Sequence, residues 1–349
     1  MVKFSVGLPI SKREGFIESV GEHLDKIGEV YFSFGSFASG RSAQSFDCDS
    51  LPHEVMERQL RELDALYEMG LSFNLLFNAN CYGGDAISRQ LMDKIGRTVD
   101  YVGTRYNLSS ITTTSPIIAK FIKNNFESLE TRASVNMEIG SKEGIDYISE
   151  LFDGFYLKRE YNRYQYKIKE MSDYCHKNGK KLYCLANSDC LNFCSAHNFH
   201  DNLVAHEAEI STKDNAYLFE GICHSFLKRE GGVLKYLSHT NFIRPEDLNK
   251  VSGYFDGIKL ATRISADPVS IIEAYTSEKF GGAVSELLEP NHSALFYPYV
   301  IDNSRIDSGF YDKASACEKN CDECEYCKEI TRSALVSLEG FAFAKNEDD

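Results

Sequence analysis

No apolar run in this 349-residue sequence approaches the ~20 residues of a membrane-spanning helix. Its start, MVKFSVGLPISKREG, has no signal-peptide apolar segment, so a cytoplasmic protein is expected, with no membrane partner. Positive charge is also short: 38 Lys and Arg stand against 52 Asp and Glu, a net charge of −14. Nucleic acids and anionic membranes both select a basic face, so neither is an expected partner, except nucleic acid at a small local site. The GxGxxG, P-loop, HExxH and GxSxG patterns are missing as well. The common nucleotide-binding, zinc-protease and serine-hydrolase chemistries therefore have no motif behind them. No low-complexity segment or short-period repeat interrupts the chain.

What is plentiful is cysteine, at 11 residues. The odd number, the length and the lack of a secretion signal disfavour a disulfide framework. Most of these cysteines fall into two clusters, which points to metal. The loop LYCLANSDCLNFCSAHNFH brings Cys184, Cys190 and Cys194 together, and Cys223 follows in EGICHSFLKREGG. Soft thiolates converging from a loop suit an iron–sulfur cluster or zinc. The spacing is not a zinc-finger CxxC pair. Cys184 also reads as a buried strand residue, in which case Cys48 or Cys81 completes the set. His197, His200 and His206 nearby read either as ligands and acid–base groups or as backbone caps.

The second cluster, ACEKNCDECEYCKEI, holds Cys317, Cys321, Cys324 and Cys327. Flanking Glu and Asp keep this segment solvated, so metal binding explains it better than packing. Its CxxxCxxC start matches radical-SAM spacing, but those enzymes carry it after the first barrel strand, so the match is accidental. A 4Fe-4S site or a zinc knot is expected, either separate from the loop cysteines or shared with them.

Short β-branched and aromatic runs alternate with amphipathic stretches. Eight strands are expected: Phe4–Pro9, Glu29–Ser33, Ser72–Asn78, Tyr101–Arg105, Arg132–Asn136, Gly154–Lys158, Lys181–Ala186 and Gly257–Leu260. Helical patterns lie at His53–Met69, Ile117–Phe126, Lys142–Leu151 and Tyr161–Asn178, with Gly70 and Gly179 placed as C-caps. Strand then helix, repeated eight times, predicts an α/β fold of the (β/α)8 TIM-barrel type rather than an open sheet. A long insertion follows strand 7, over residues 187–250. The barrel domain is taken as 1–264, and 265–349 as a cysteine-rich C-terminal extension.

In such a barrel the active site lies at the C-terminal strand ends. These are polar here: Asn78, Asn80, Tyr106, Asn107, Asn136, Glu160, Asn187 and Asp189 accompany the catalytic candidates Arg105, Glu138, Lys158, Arg159, Lys259 and Arg263. Arginines at Arg105, Arg159 and Arg263 suit the phosphate or carboxylate of a small polar substrate or peptide.

The segment HTNFIRPEDLNKVSGYFDGIKLATRI, with Pro245, Asp247, Leu248, Lys259 and Arg263, resembles the late PxDL region of the peptidase U32 (collagenase-like) family. The loop bearing Cys190 and Cys194 resembles that family's cysteine insertion after a barrel strand. The resemblance spans most of residues 1–265. It departs at the second strand, where IGEVYFSFGSF replaces the family's GADAVYxG start, and the C-terminal quartet is an addition. Relatives in ubiquinone and tRNA hydroxylation imply a 4Fe-4S cluster on four cysteines. They further imply redox or hydroxylation chemistry in anaerobic metabolism on a small molecule, peptide or RNA base, and a partner protein of the same family. The alternatives are a non-catalytic cluster-bearing scaffold and a U32-type peptidase with structural zinc. No Ser/His/Asp set supports the peptidase label, and cluster-bound thiolates are poor nucleophiles.

Overall fold

The computed structural model describes residues 2–35, 37–40 and 52–338. Eight parallel strands close into a barrel: β1 (Phe4–Gly7), β2 (Ile27–Phe32), β3 (Ser72–Phe77), β4 (Leu108–Thr113), β5 (Glu130–Ala133), β6 (Gly154–Tyr156), β7 (Lys181–Leu185) and β8 (Gly257–Leu260). Between them run α1 (Phe16–Glu22), α2 (Pro52–Glu68), α3 (Arg89–Arg105), α4 (Pro116–Asn125), α5 (Lys142–Asp146) and α6 (Gln165–Lys177). The expected (β/α)8 barrel is thus the observed one. β8 pairs with β1 to close it.

Local chemistry sets the helix starts. Ser88 and Ser115 accept the backbone N–H groups of Leu91 and Ile118, and Pro116 occupies the first turn of α4. At the other end Gly70 and Gly179 adopt φ of 82° and 66°, a left-handed conformation that costs glycine least.

One strand lies elsewhere than the sequence pattern puts it. Tyr101–Arg105 forms the last turns of α3, and the fourth strand is Leu108–Thr113. The β-branched and aromatic run TVDYVGTRY favours a strand locally. Leu91, Ile95, Val99 and Val102 are all buried on α3, however, and their 3.6-residue spacing prevails.

The lumen is polar. Glu29 of β2 accepts from Ser5 (2.7 Å), Asn74 (3.3 Å), Ser110 (3.2 Å) and Arg132 (2.9 Å). Tyr31, Tyr156 and Tyr183 fill the bore around this network, and Tyr183 joins it by donating to Glu130 at 2.6 Å, with Arg132 4.3 Å from its ring centre. They fit because glycines face them: a Cβ on Gly7 would lie 2.5 Å from the Tyr31 ring, and one on Gly154 2.6 Å from that of Tyr183. The helices pack outside on a continuous apolar layer that includes Val6, Val30, Leu75, Ile111, Ile118 and Ile168.

Between β7 and β8 the chain makes its excursion through α7 (His197–Ala205), α8 (Glu207–Ile210), α9 (Ile222–Leu227) and α10 (Tyr236–His239). After β8, α11 (Pro268–Ser277) packs beside α1 and completes the eighth unit. The rest forms α12 (Ser293–Phe296), a two-stranded antiparallel sheet of β9 (Tyr299–Ile301) and β10 (Leu335–Ser337), α13 (Phe310–Ala316) and α14 (Tyr326–Ala334). The quartet loop links α13 to α14. α13 lies against α6 and the Arg159–Arg163 turn, and α14 against α10, so this extension docks beside the barrel mouth. No helix among the described residues is long and apolar enough to cross a membrane.

Candidate active site and thiol centres

The strand ends of β5, β6 and β7 build the mouth. Glu138 follows β5 in the left-handed conformation, φ 52°, which turns its carboxylate toward the insertion. There it meets His197 Nδ1 at the start of α7, and His197 Nε2 lies 3.5 Å from Asp201 Oδ2. Asn80 Nδ2 lies 3.4 Å from Asp201 Oδ2, and Lys158 Nζ lies 3.9 Å from Glu138. Donor atoms of Glu138, Glu160 and His197 fall within 4.8 Å of one another. His197 holds the Glu138 carboxyl below its usual range, against an opposing contribution from burial, and Lys158 and Arg159 add to the lowering. A carboxylate–imidazole–carboxylate series of this kind can hold and pass a proton.

Arg159 joins this group to the thiols. It is buried, and donates to Asn136 Oδ1 (2.8 Å) and to Cys190 Sγ (3.4 Å). Cys190, Cys194 and Cys223 line one cavity of about 260 Å³ together with His197, His200 and Asp201. Burial pushes the Cys223 thiol up, and Cys190 and Cys194 beside it push the same way. On its other side Cys223 adjoins His224 and His292, all within 4.8 Å. Burial lowers His292 to about 4. Asp189 is fully buried between Tyr236, His292 and Arg163, and burial raises its carboxyl well above the ordinary value.

Several expected residues lie elsewhere. Arg105 sits at the end of α3, in an exposed pair with Asp64 at 2.8 Å. It is outside the mouth because its segment is helix and not strand. Cys184 faces outward from β7 into the apolar layer, and burial alone raises its thiol. Strand alternation puts its neighbours Tyr183 and Leu185 on the lumen side and Cys184 on the other, so it is not a ligand of the mouth cavity. Cys81 accepts from Gly83 N at 3.3 Å and does not line that cavity. Cys48 lies outside the described residues. Lys259 points into the bore, its ammonium 3.8 Å from the Tyr31 ring centre. Arg263 is buried on the β8–β1 side, within reach of the Ser33 and Ser39 hydroxyls at 3.3–3.4 Å. His206 pairs with Glu209 at 3.6 Å, away from the cavity lining.

The quartet forms its own group. Cys317 and Cys324 act on Cys321, and Cys317 and Cys321 on Cys327, as near neighbours do. Burial is the main cause of the raised Cys321 and Cys327 thiols. An aromatic contact links this group to the mouth: Phe193, next to Cys194, has its ring 6.4 Å from that of Tyr164, over which Lys319 lies at 4.6 Å. All ten described cysteines are free thiols.

No protein-family model matches the chain. Its sequence is 26% identical over 315 residues to an uncharacterized protease of Methanocaldococcus jannaschii, covering 88% of each protein. Its fold matches the structure of a U32 peptidase with a TM-score of 0.54, over 74% of this chain and 92% of that one, at 13% identity. The resemblance to the U32 family holds. Within this U32-like chain, sequence reasoning anticipated Glu138, Lys158, Arg159 and the loop thiols as mouth residues. It missed Asp201, His224, His292 and Arg163; the i,i+4 spacing of His197 and Asp201 on α7 and the adjacency of Cys223 and His224 were local signals, whereas His292 and Arg163 had none.

Proposed function

We propose that this U32-like chain is an iron–sulfur enzyme of a reducing, cytoplasmic compartment. It performs redox or hydroxylation-type modification of a small polar molecule, peptide or base at the barrel mouth. The observation that carries this reading is the convergence of Cys190, Cys194 and Cys223 on one cavity, with Arg159 donating to Cys190. Three soft donors fit a 4Fe-4S cluster whose remaining position is filled from outside this set. Among the described residues, the donor sets gathered within 4.8 Å are Cys223–His224–His292 and Glu138–Glu160–His197, so the thiol triplet is wider than that. A single zinc with Zn–S bonds near 2.3 Å needs sulfurs roughly 3.8 Å apart, whereas a cluster spreads them. When bound, the cluster would supply electron transfer or a Lewis-acid iron. The chain's own residues do the rest: Lys158 and Arg159 bind and orient an anionic group. Glu138 and His197 hold or move a proton, with Asp201 supplying negative charge near the other imidazole nitrogen.

The test is anaerobic purification with an absorbance spectrum and counts of iron, sulfide and zinc. A brown protein that loses its mouth cluster in C190A/C194A supports the proposal. A colourless zinc protein, or full iron in the double variant, refutes it.

A second reading, a peptidase, draws on the relative's name and on the close Glu138–Glu160–His197 set, which suits a water-activating cation. It requires peptide hydrolysis that survives C190A/C194A and disappears in H197A.

A further inference from the structure

The turn Arg159–Arg163 carries a buried arginine at each end. Arg159 reaches Cys190 at the mouth. Arg163 lies in the seam between the barrel and the C-terminal extension, its guanidinium 5.3 Å from the Phe242 ring centre and 5.2 Å from that of Phe310. It is among the most fully buried side chains, and none of its three nitrogens has a hydrogen-bond partner. A desolvated cation with five idle donors is strongly unfavourable unless an anion is at hand.

The carboxylates nearby do not serve: Asp189 faces Arg163, but burial raises its carboxyl toward the neutral acid and no hydrogen bond joins the two. Asp247 is bound by Arg244 at 2.8 Å and faced by Lys250 at 3.6 Å. The Phe310 ring beneath Arg163 stacks on that of Tyr326 at 6.4 Å, the residue before Cys327, and the Cys327 sulfur is the neighbour that most favours the Arg163 charge. From another side Lys319, mostly desolvated, faces Cys317, Cys327 and Cys321. Two cations therefore flank three of the four thiols, Cys317, Cys321 and Cys327.

We infer that the C-terminal quartet holds an anionic tetrathiolate metal centre and that Arg163 is its buried counter-cation. The inference rests on the metal-binding reading of the quartet and adds the residue that neutralises it. Among the described residues the quartet sulfurs, like the mouth triplet, are not a set gathered within 4.8 Å, which suits a cluster better than a single zinc; four thiolates on a 4Fe-4S core of charge about +2 leave a net charge of about −2. Arg163 and Lys319 together match that charge. The centre is then part of the packed seam rather than a tethered tail. If it is redox-active, the fixed positive charge of Arg163 stabilises the reduced, more negative state and raises the reduction potential.

The experiment uses full-length C190A/C194A protein, which leaves the quartet as the thiol set under study, with Arg163→Met or Arg163→Lys added. Metal per chain and its release to a chelator are followed. For an iron centre, the ratio of reduced to oxidised form at a fixed potential is read by electron paramagnetic resonance. Arg163→Met is expected to release metal at least tenfold faster. For a redox centre it lowers the reduced-to-oxidised ratio about tenfold, which is 59 mV for a one-electron couple. Arg163→Lys keeps the charge and stays near the parent. Should Arg163→Met fail to fold, Lys319→Met, on the partly exposed side, moves release the same way by a smaller factor. Unchanged release in both Met variants overturns the inference, as does equal loss in Arg163→Met and Arg163→Lys, which would show a packing role. A C317A/C321A variant with full metal content would instead remove the quartet's metal reading itself.

Discussion

Replacing Glu29 by Gln leaves the lumen's shape intact and removes one charge from its centre. Glu29 and Arg132 are 10% and 8% exposed and meet at 2.8 Å, so the pair is largely desolvated. Deleting one member of a buried pair costs about 3–5 kcal/mol, mostly because the other charge is left uncompensated. Arg132 keeps Glu130 at 2.9 Å, and the amide oxygen introduced by E29Q can still accept from the hydroxyl of Ser5 or Ser110. The expected loss therefore sits at the lower end, about 3 kcal/mol. Equilibrium urea denaturation of the wild type, E29Q, R132M and the double variant gives both this loss and the coupling between the two sites. The double variant should lose clearly less than the sum of the singles, since removing both charges removes the stranded one. Additivity to within about 0.5 kcal/mol would show that the two groups do not act as a pair, and the lumen account would fall.

The thiols separate by role: C184A should keep the wild-type metal count while C190A and C223A lose the mouth share of it and keep that of the quartet, as metal analysis will show. Gly154→Ala should destabilise by about 1–3 kcal/mol through overpacking against Tyr183, read in the same urea experiment. Glu138 is held below its ordinary 4.5, so it contributes stability above that pH which disappears as pH falls through the depressed value. E138Q should accordingly cost most stability at neutral pH, cost little in acid, and flatten the stability–pH curve below about pH 4.5. Arg105→Ala should leave metal content and any turnover unchanged, because its exposed pair lies away from the mouth; a loss of either would return Arg105 to the site.

The parts of this molecule that were legible in its sequence are those written in a local period. Seven strand positions and the cap residues Gly70 and Gly179 follow from runs of a few residues, as do the two cysteine groups. Where two local signals conflicted, at Tyr101–Arg105, the longer period won in the structure because the buried apolar face of α3 outweighs the β-propensity of one short run. Cys184 shows a second limit. Its place among three loop cysteines suggested a ligand, yet the strand's two-residue alternation, visible in the same stretch, already assigned it the face opposite Tyr183. The third limit is not recoverable from any window. Arg163 becomes informative only when Phe242, Phe310 and Cys327, from three distant segments, close around it and leave its donors without an acceptor. A lone arginine in REYNRYQYK reads as a solvated helix start. Buried there, it is the counter-cation of the proposed metal centre more than 150 residues further along the chain, a relation that exists only in three dimensions.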